Sequence, residues 1–222
     1  GIALHVVGFD INRADWSKQL EEVARRGHGT YWPARKGSEL ERSHVSERCE
    51  IVYAPSVPEH EARILGRECD GHVRAIEAWF ETRGPDRITV LIFESEAQKG
   101  WLMGAASTYI AKPWRREVYL QFARYPHPVL GHELAHVIAG SFGAGPFRVS
   151  GPLGGLIPDP GRIEGVATAA TPTDDPELTL AGWSRAMLDL GLLPPLAAVF
   201  RLSFLGENSS KAYTVAGAFI EW

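Results

Sequence analysis

The spacing of apolar positions along the chain changes period from segment to segment, and those changes separate strands from helices. The apolar run at 2–9, IALHVVGF, predicts a buried strand, and in 14–26, ADWSKQLEEVARR, residues Trp16, Leu20, Val23 and Ala24 fall along one helical face. Gly27 and Gly29 stop that helix and TYWPA (30–34) predicts a second strand, so the chain opens as a β-α-β piece. The polar stretch RKGSELERSHVSER (35–48) reads as a bridge, with a boundary near residue 44 that divides the chain into 1–43 and 44–222.

Beyond the bridge, EIVYAP (50–55) predicts a strand. A long helix over 59–82 turns Ile64, Leu65, Cys69, Val73, Ile76 and Phe80 toward a core, and RITVLIF (87–93) predicts another strand. A shorter helix is expected around 95–103, then a strand with a polar face at REVYLQ (116–121), which is a candidate sheet edge that a peptide could extend. Pro126 and Pro128 introduce a helix containing VLGHELAHVIAG (129–140), and Gly140 and Gly143 end it. Ser141 to Gly161 is rich in glycine and proline and reads as a long loop, a length that compact domains keep mainly for function. Helices are predicted at 160–171, 177–190, 194–204 and 209–222. Strands first and helices afterwards indicate the α+β class.

The 222 residues are 45% hydrophobic, enough for a real core. Net charge is −4, and no basic run exceeds Arg115-Arg116, which excludes a phosphate-tracking nucleic-acid partner. No apolar run of membrane-spanning length and no signal peptide are visible. Gly1 in place of methionine, and a stop at Trp222 inside a predicted helix, suggest a longer parent chain. Any membrane attachment is then expected from segments outside this one, and the compartment is left open. Cys49 and Cys69 are the only cysteines. The plainer reading is two buried free thiols; the alternative is one bridge from a strand start to the next helix, which implies an oxidising compartment.

Within HELAH, residues four apart project from one helical face, so His132 and His136 can aim ring nitrogens at one metal ion. Glu133 lies roughly 100° further round, placed to reach a water on that ion and take its proton. The flanking Val129, Leu130, Leu134, Ala135, Val137 and Ile138 make the helix a buried one, where an adjacent glutamate without a partner is costly. A catalytic zinc site takes three protein ligands and leaves a fourth position for water. The extended HExxHxxGxxH pattern fails, because Ala139 and Phe142 stand where glycine and histidine are required. No histidine follows His136, so a downstream third ligand must be a carboxylate. In DPGRIEGVATAA (159–170), Asp159 can cap a helix that Pro160 starts, Glu164 sits one turn in, and Gly165, Ala167 and Ala169 permit close helix packing. Asp159, Asp174 and Asp175 are the other carboxylate candidates.

HELAH followed by an EGxA helix resembles the gluzincin metallopeptidases of the peptidase MA-like group, over most of 45–222. The resemblance implies a zincin-like fold and a Zn2+ ion held by His132, His136 and Glu164. It also implies Glu133 as general base and a peptide or protein as substrate. The stretch between His136 and Glu164 is longer than in the best-known gluzincins, so the glycine-rich insert must loop out. Similar enzymes use a downstream tyrosine to hydrogen-bond the oxyanion, and Tyr213 in SSKAYTVAGAF occupies a comparable place; an ordinary half-buried packing role is the alternative. Tyr125 and His127 are expected to pack the turn before the metal helix. The rival functional expectation is an inactive zincin-fold module serving interaction or adhesion. The opening residues, a strand ending in VGF, a helix and then GTYWPA, resemble the carboxy-terminal end of a von Willebrand factor A domain. The metal-binding loop of that family would lie upstream, so no ligand is carried over.

Overall fold

The computed structural model describes residues 6–9, 14–29, 31–34, 42–171, 179–200, 204 and 210–222. In the first unit, β1 (Val6–Phe9) and β2 (Tyr31–Ala34) pair in parallel, Val6 opposite Tyr31, with α1 (Ala14–Arg26) between them in the chain. Parallel strands need such a crossover. Ala24 is buried on α1, and Trp16 and Val23 are exposed.

The second unit is built on a five-stranded sheet. Its strands are β3 (Arg42–Val45), β4 (Cys49–Tyr53), β5 (Ile88–Phe93), β6 (Ile110–Lys112) and β7 (Glu117–Gln121), in the order β3-β4-β5-β7-β6. β4, β5 and β7 are mutually parallel, while β3 and β6 are antiparallel edges. The connection from β4 to β5 is α2 (Glu59–Trp79), and α3 (Glu96–Met103) follows β5. The molecule is thus mixed α+β.

Three readings of the sequence need correction here. The polar bridge holds a strand: Arg42–Val45 pairs with Glu50–Tyr53, so the boundary near residue 44 falls inside an element of the larger sheet. REVYLQ is not an edge, because β7 lies between β5 and β6 and its Val118 to Gln121 are buried. The edge is instead the three-residue β6, too short to show a period. Cys49 and Cys69 are not free thiols but a disulfide with Cα atoms 6.3 Å apart, tying the start of β4 to the middle of α2.

The same junction is closed by polar contacts. Asp70 on α2 accepts hydrogen bonds from Ser46 Oγ and Arg48 N, both at 2.8 Å, which fixes the β3–β4 turn. Arg48 forms a two-pronged pair with Glu77 at 2.7 and 2.6 Å, and Glu77 also accepts from Gly84 N at 2.6 Å. Arg48 holds the Glu77 carboxyl below its ordinary range, against the opposing effect of burial, and the Gly84 bond adds to the lowering.

The remaining helices are α4 (Leu130–Ala139), the short α5 (Pro152–Gly155), α6 (Pro160–Ala170), α7 (Leu180–Asp189), α8 (Leu196–Val199) and α9 (Ser210–Glu221). Helix 194–204 is seen as Leu196–Val199, with 201–203 outside the described residues. The loop after α4 carries α5 and an Ala144–Val149 bridge. α4 packs on α2, α6, β6 and β7, and α6 packs on α9. Small residues allow that last contact: a Cβ on Gly165 would lie 2.9 Å from the Ala216 backbone. No helix of the described residues is long and apolar enough to cross a membrane.

Candidate metal centre

α4 is an apolar rod with one polar stripe. Leu130, Leu134, Ala135, Val137 and Ile138 are buried in the core, while His132 and His136 turn the other way, toward a cleft. Their rings lie 4.8 Å apart, centre to centre, and nearly perpendicular. Gly140 ends the helix against Pro113, a contact that any Cβ would meet at 2.5 Å.

α6 passes α4 in the opposite sense: Thr171, just past its end, lies beside Gly131 near the start of α4. Asp159 caps α6 by accepting from Arg162 N at 3.3 Å, and Pro160 occupies its first turn, as the sequence indicated. The cap uses the Asp159 carboxylate, so of the carboxylate candidates it is Glu164 that reaches the imidazoles. Its Oε2 stands 3.0 Å from His132 Nε2 and 3.4 Å from His136 Nε2. Asp174 and Asp175 lie outside the described residues.

These distances can be tested against a metal. Ligand atoms at about 2.0–2.2 Å from a tetrahedral ion are about 3.3 Å from one another. The Glu164 oxygen meets both imidazole nitrogens within a few tenths of an ångström of that value. His132, Glu133 and His136 also form a group whose candidate ligand atoms all lie within 4.8 Å of one another and could hold a metal ion. Two carboxylates therefore compete for the place beside the imidazoles. The contact favours Glu164, since a single oxygen of it touches both rings.

Glu133 is buried, and that burial pushes its carboxyl up, against the pull of His136, His132 and Lys99. Burial would lower His136, but the bond to Glu164 and the nearby carboxylates outweigh it and move the imidazole up. Burial likewise opposes ionisation of Glu164, yet the His132 and His136 bonds prevail and bring it to about 2. A cation in this place would take over from these protons.

Tyr213, half-buried on α9, has its ring 6.1 Å from that of His132 and lines the same cleft. Burial and the Glu164 and Glu133 charges push its hydroxyl up to about 12, so it is a donor at neutral pH. His127 is buried with Nε2 3.0 Å from Gln121 O and Nδ1 accepting from Val129 N at 3.4 Å. Tyr125 is exposed and outside the cleft lining.

The cleft encloses about 990 Å3, at the upper end of ligand-site volumes. One side is made by β6 and its lead-in, Ser107 to Ala111. Two side chains that sequence reasoning missed secure this segment: buried Lys99 bonds to the Thr108 carbonyl and Gln121 to the Ala106 carbonyl. Burial lowers the Lys99 ammonium, although the Glu133 and Glu96 charges oppose this. The available cue was Lys99 standing three residues before Leu102, hence on the inward face of α3.

Fold and site together define a mixed α+β protein with a histidine-glutamate group able to hold a metal. No family model matches the sequence, and no curated protein matches it.

Proposed function

We propose that residues 42–222 form a zinc-dependent peptidase of the gluzincin type, in which His132, His136 and Glu164 hold the ion. The observation that carries this reading is the single Glu164 oxygen 3.0 and 3.4 Å from the two imidazole nitrogens. Two imidazoles and one carboxylate suit zinc and leave one corner open. When bound, zinc supplies Lewis acidity that lowers the pKa of water and polarises a carbonyl.

The chain's own residues supply the rest. Glu133, buried and raised, takes the proton of the attacking water and delivers it to the leaving amine. Tyr213, protonated at neutral pH, donates a hydrogen bond to the oxyanion that forms on the substrate carbonyl. An extended peptide adds as a further strand to the edge strand β6, whose lead-in at Ala106 and Thr108 is held by Gln121 and Lys99. The Cys49–Cys69 bridge supports work in an oxidising compartment. The β1-α1-β2 unit agrees in element order with the end of a von Willebrand A-like module, whose role here would be attachment or adhesion.

The test is casein hydrolysis by variants with zinc content measured in parallel. Glu133→Gln is expected to keep one zinc and lose about 10²–10⁴-fold in rate. Tyr213→Phe is expected to lose about 10²–10³-fold in kcat with KM little changed. Hydrolysis that survives in Glu133→Gln overturns the mechanism.

A further inference from the structure

The cleft runs along α4, and its two ends differ in charge. At the end of α4, Arg148 passes close to Gly140, and Arg162 on the first turn of the antiparallel α6 lines the same region. At the start of α4 the wall is made by Glu68 and His72 of α2 and by Pro126, His127, Pro128 and Val129. Gly131 and Gly140 are separated by about 13 Å of helix, so the arginines lie well away from Glu68.

Glu68 is only 8% exposed. Its Oε1 accepts from His127 N at 2.7 Å. Its Oε2 is buried without a hydrogen-bond partner among the described residues. His127 cannot supply one, because both of its ring nitrogens are engaged. His72 Nε2 lies 3.6 Å from Oε1, beyond hydrogen-bond range and within ion-pair range only when the imidazole is protonated, and its side chain is 37% exposed. A buried carboxylate oxygen left unpaired is costly, so this one calls for a partner that a group entering the cleft can supply.

We propose that Glu68 is the floor of a cation-recognising subsite, which receives the basic side chain of a lysine or arginine close to the bond being cut. Rotation of the half-exposed His72 ring uncovers the carboxylate. Pro126, Pro128 and Val129 then flank the aliphatic stem of the incoming side chain, while its charged head reaches Glu68. His72 acts as the cover and Glu68 as the determinant. The identity of the ligand as a peptide residue rests on the peptidase reading; the affinity for a cation does not.

Nα-acetyl-arginine methylamide and its citrulline counterpart, which is nearly isosteric and neutral, separate the two. Binding is followed by calorimetry and by the histidine ring resonances. The arginine compound is expected to bind about tenfold or more tightly than the citrulline compound. Glu68→Gln, which keeps an acceptor for His127 N, is expected to bring the ratio to about one, and His72→Ala to preserve or raise it. Equal binding of the two compounds by the unaltered chain, or a ratio that survives in Glu68→Gln, overturns the proposal. If Glu68→Gln fails to fold, the ring signals of His72 and His127 in the unaltered chain decide: selective perturbation by the arginine compound supports the subsite, and its absence overturns it. Peptides carrying arginine or citrulline at successive positions then divide the two claims. Cleavage without preference for arginine removes the subsite and keeps the peptidase. Cation-selective binding without any cleavage does the reverse.

Discussion

Gly71 and Gly165 are both helical glycines, and replacing each by alanine is expected to move stability in different directions. Alanine gains about 1 kcal/mol over glycine inside a helix, largely by restricting the unfolded chain. On α2 nothing lies within 4 Å of a Cβ added at Gly71, so Gly71→Ala is expected to stabilise by about 0.5–1 kcal/mol. A Cβ at Gly165 would lie 2.9 Å from the Ala216 carbonyl carbon and oxygen and 3.0 Å from the Ala216 Cβ. Ordinary carbon contacts fall at about 3.5–4.0 Å, so α6 and α9 must part by several tenths of an ångström, backbone against backbone. Overpacking of that kind costs about 1–3 kcal/mol, which outweighs or cancels the propensity gain. Because the gain is common to both variants, their difference isolates the clash at about 1–3 kcal/mol. Urea unfolding measures it as a change in midpoint at constant slope. Since α6 carries Glu164 and α9 carries Tyr213, Gly165→Ala is also expected to lower hydrolysis without altering any ligand. Equal stabilisation by the two substitutions would refute the α6–α9 packing and, with it, the positioning of the site's second helix.

Other consequences can be checked in the same assay. Glu77→Gln is expected to cost about 2 kcal/mol near neutral pH by breaking the bond to Arg48. The Glu77 pKa is lower folded than unfolded, so its stabilisation is present above the ordinary carboxylate value of 4.5 and fades as pH falls below it. The gap between the two proteins should therefore close in acid, and a gap that widens there contradicts the assignment. Replacing Cys49 and Cys69 by serine opens a loop of 20 residues and is expected to cost about 3 kcal/mol; no change in the urea midpoint would show that the bridge does not form in solution.

What was legible in the sequence followed from local rules. The i, i+4 histidines place themselves on one face of any helix, and the Asp159-Pro160 start fixes α6 and therefore Glu164. The long apolar period of α2 and the alternation in β5 needed only side-chain spacing. What escaped depends on neighbours distant in the chain. β3 and β6 are short strands that exist because β4 and β7 supply their hydrogen bonds, so polar residues such as Arg42 and Lys112 carry no strand period of their own. Cys49 and Cys69 pair because a strand start and a helix middle meet in space, which two isolated thiols cannot announce. Glu68 and His72 carry no spacing signal of their own, and Lys99 shows only that it faces inward on α3. Only the fold brings them to the cleft wall or buries them beneath it.

The proposed chemistry requires a metal held jointly by α4 and α6. X-ray absorption at the zinc edge, on the chain loaded with one equivalent, tests it directly. The expected result is two imidazole nitrogens and a carboxylate oxygen at about 2.0–2.2 Å, lost in Glu164→Gln and retained in Glu133→Gln. A site untouched by Glu164→Gln, or one abolished by Glu133→Gln, would contradict it, as would a chain that binds no zinc at all.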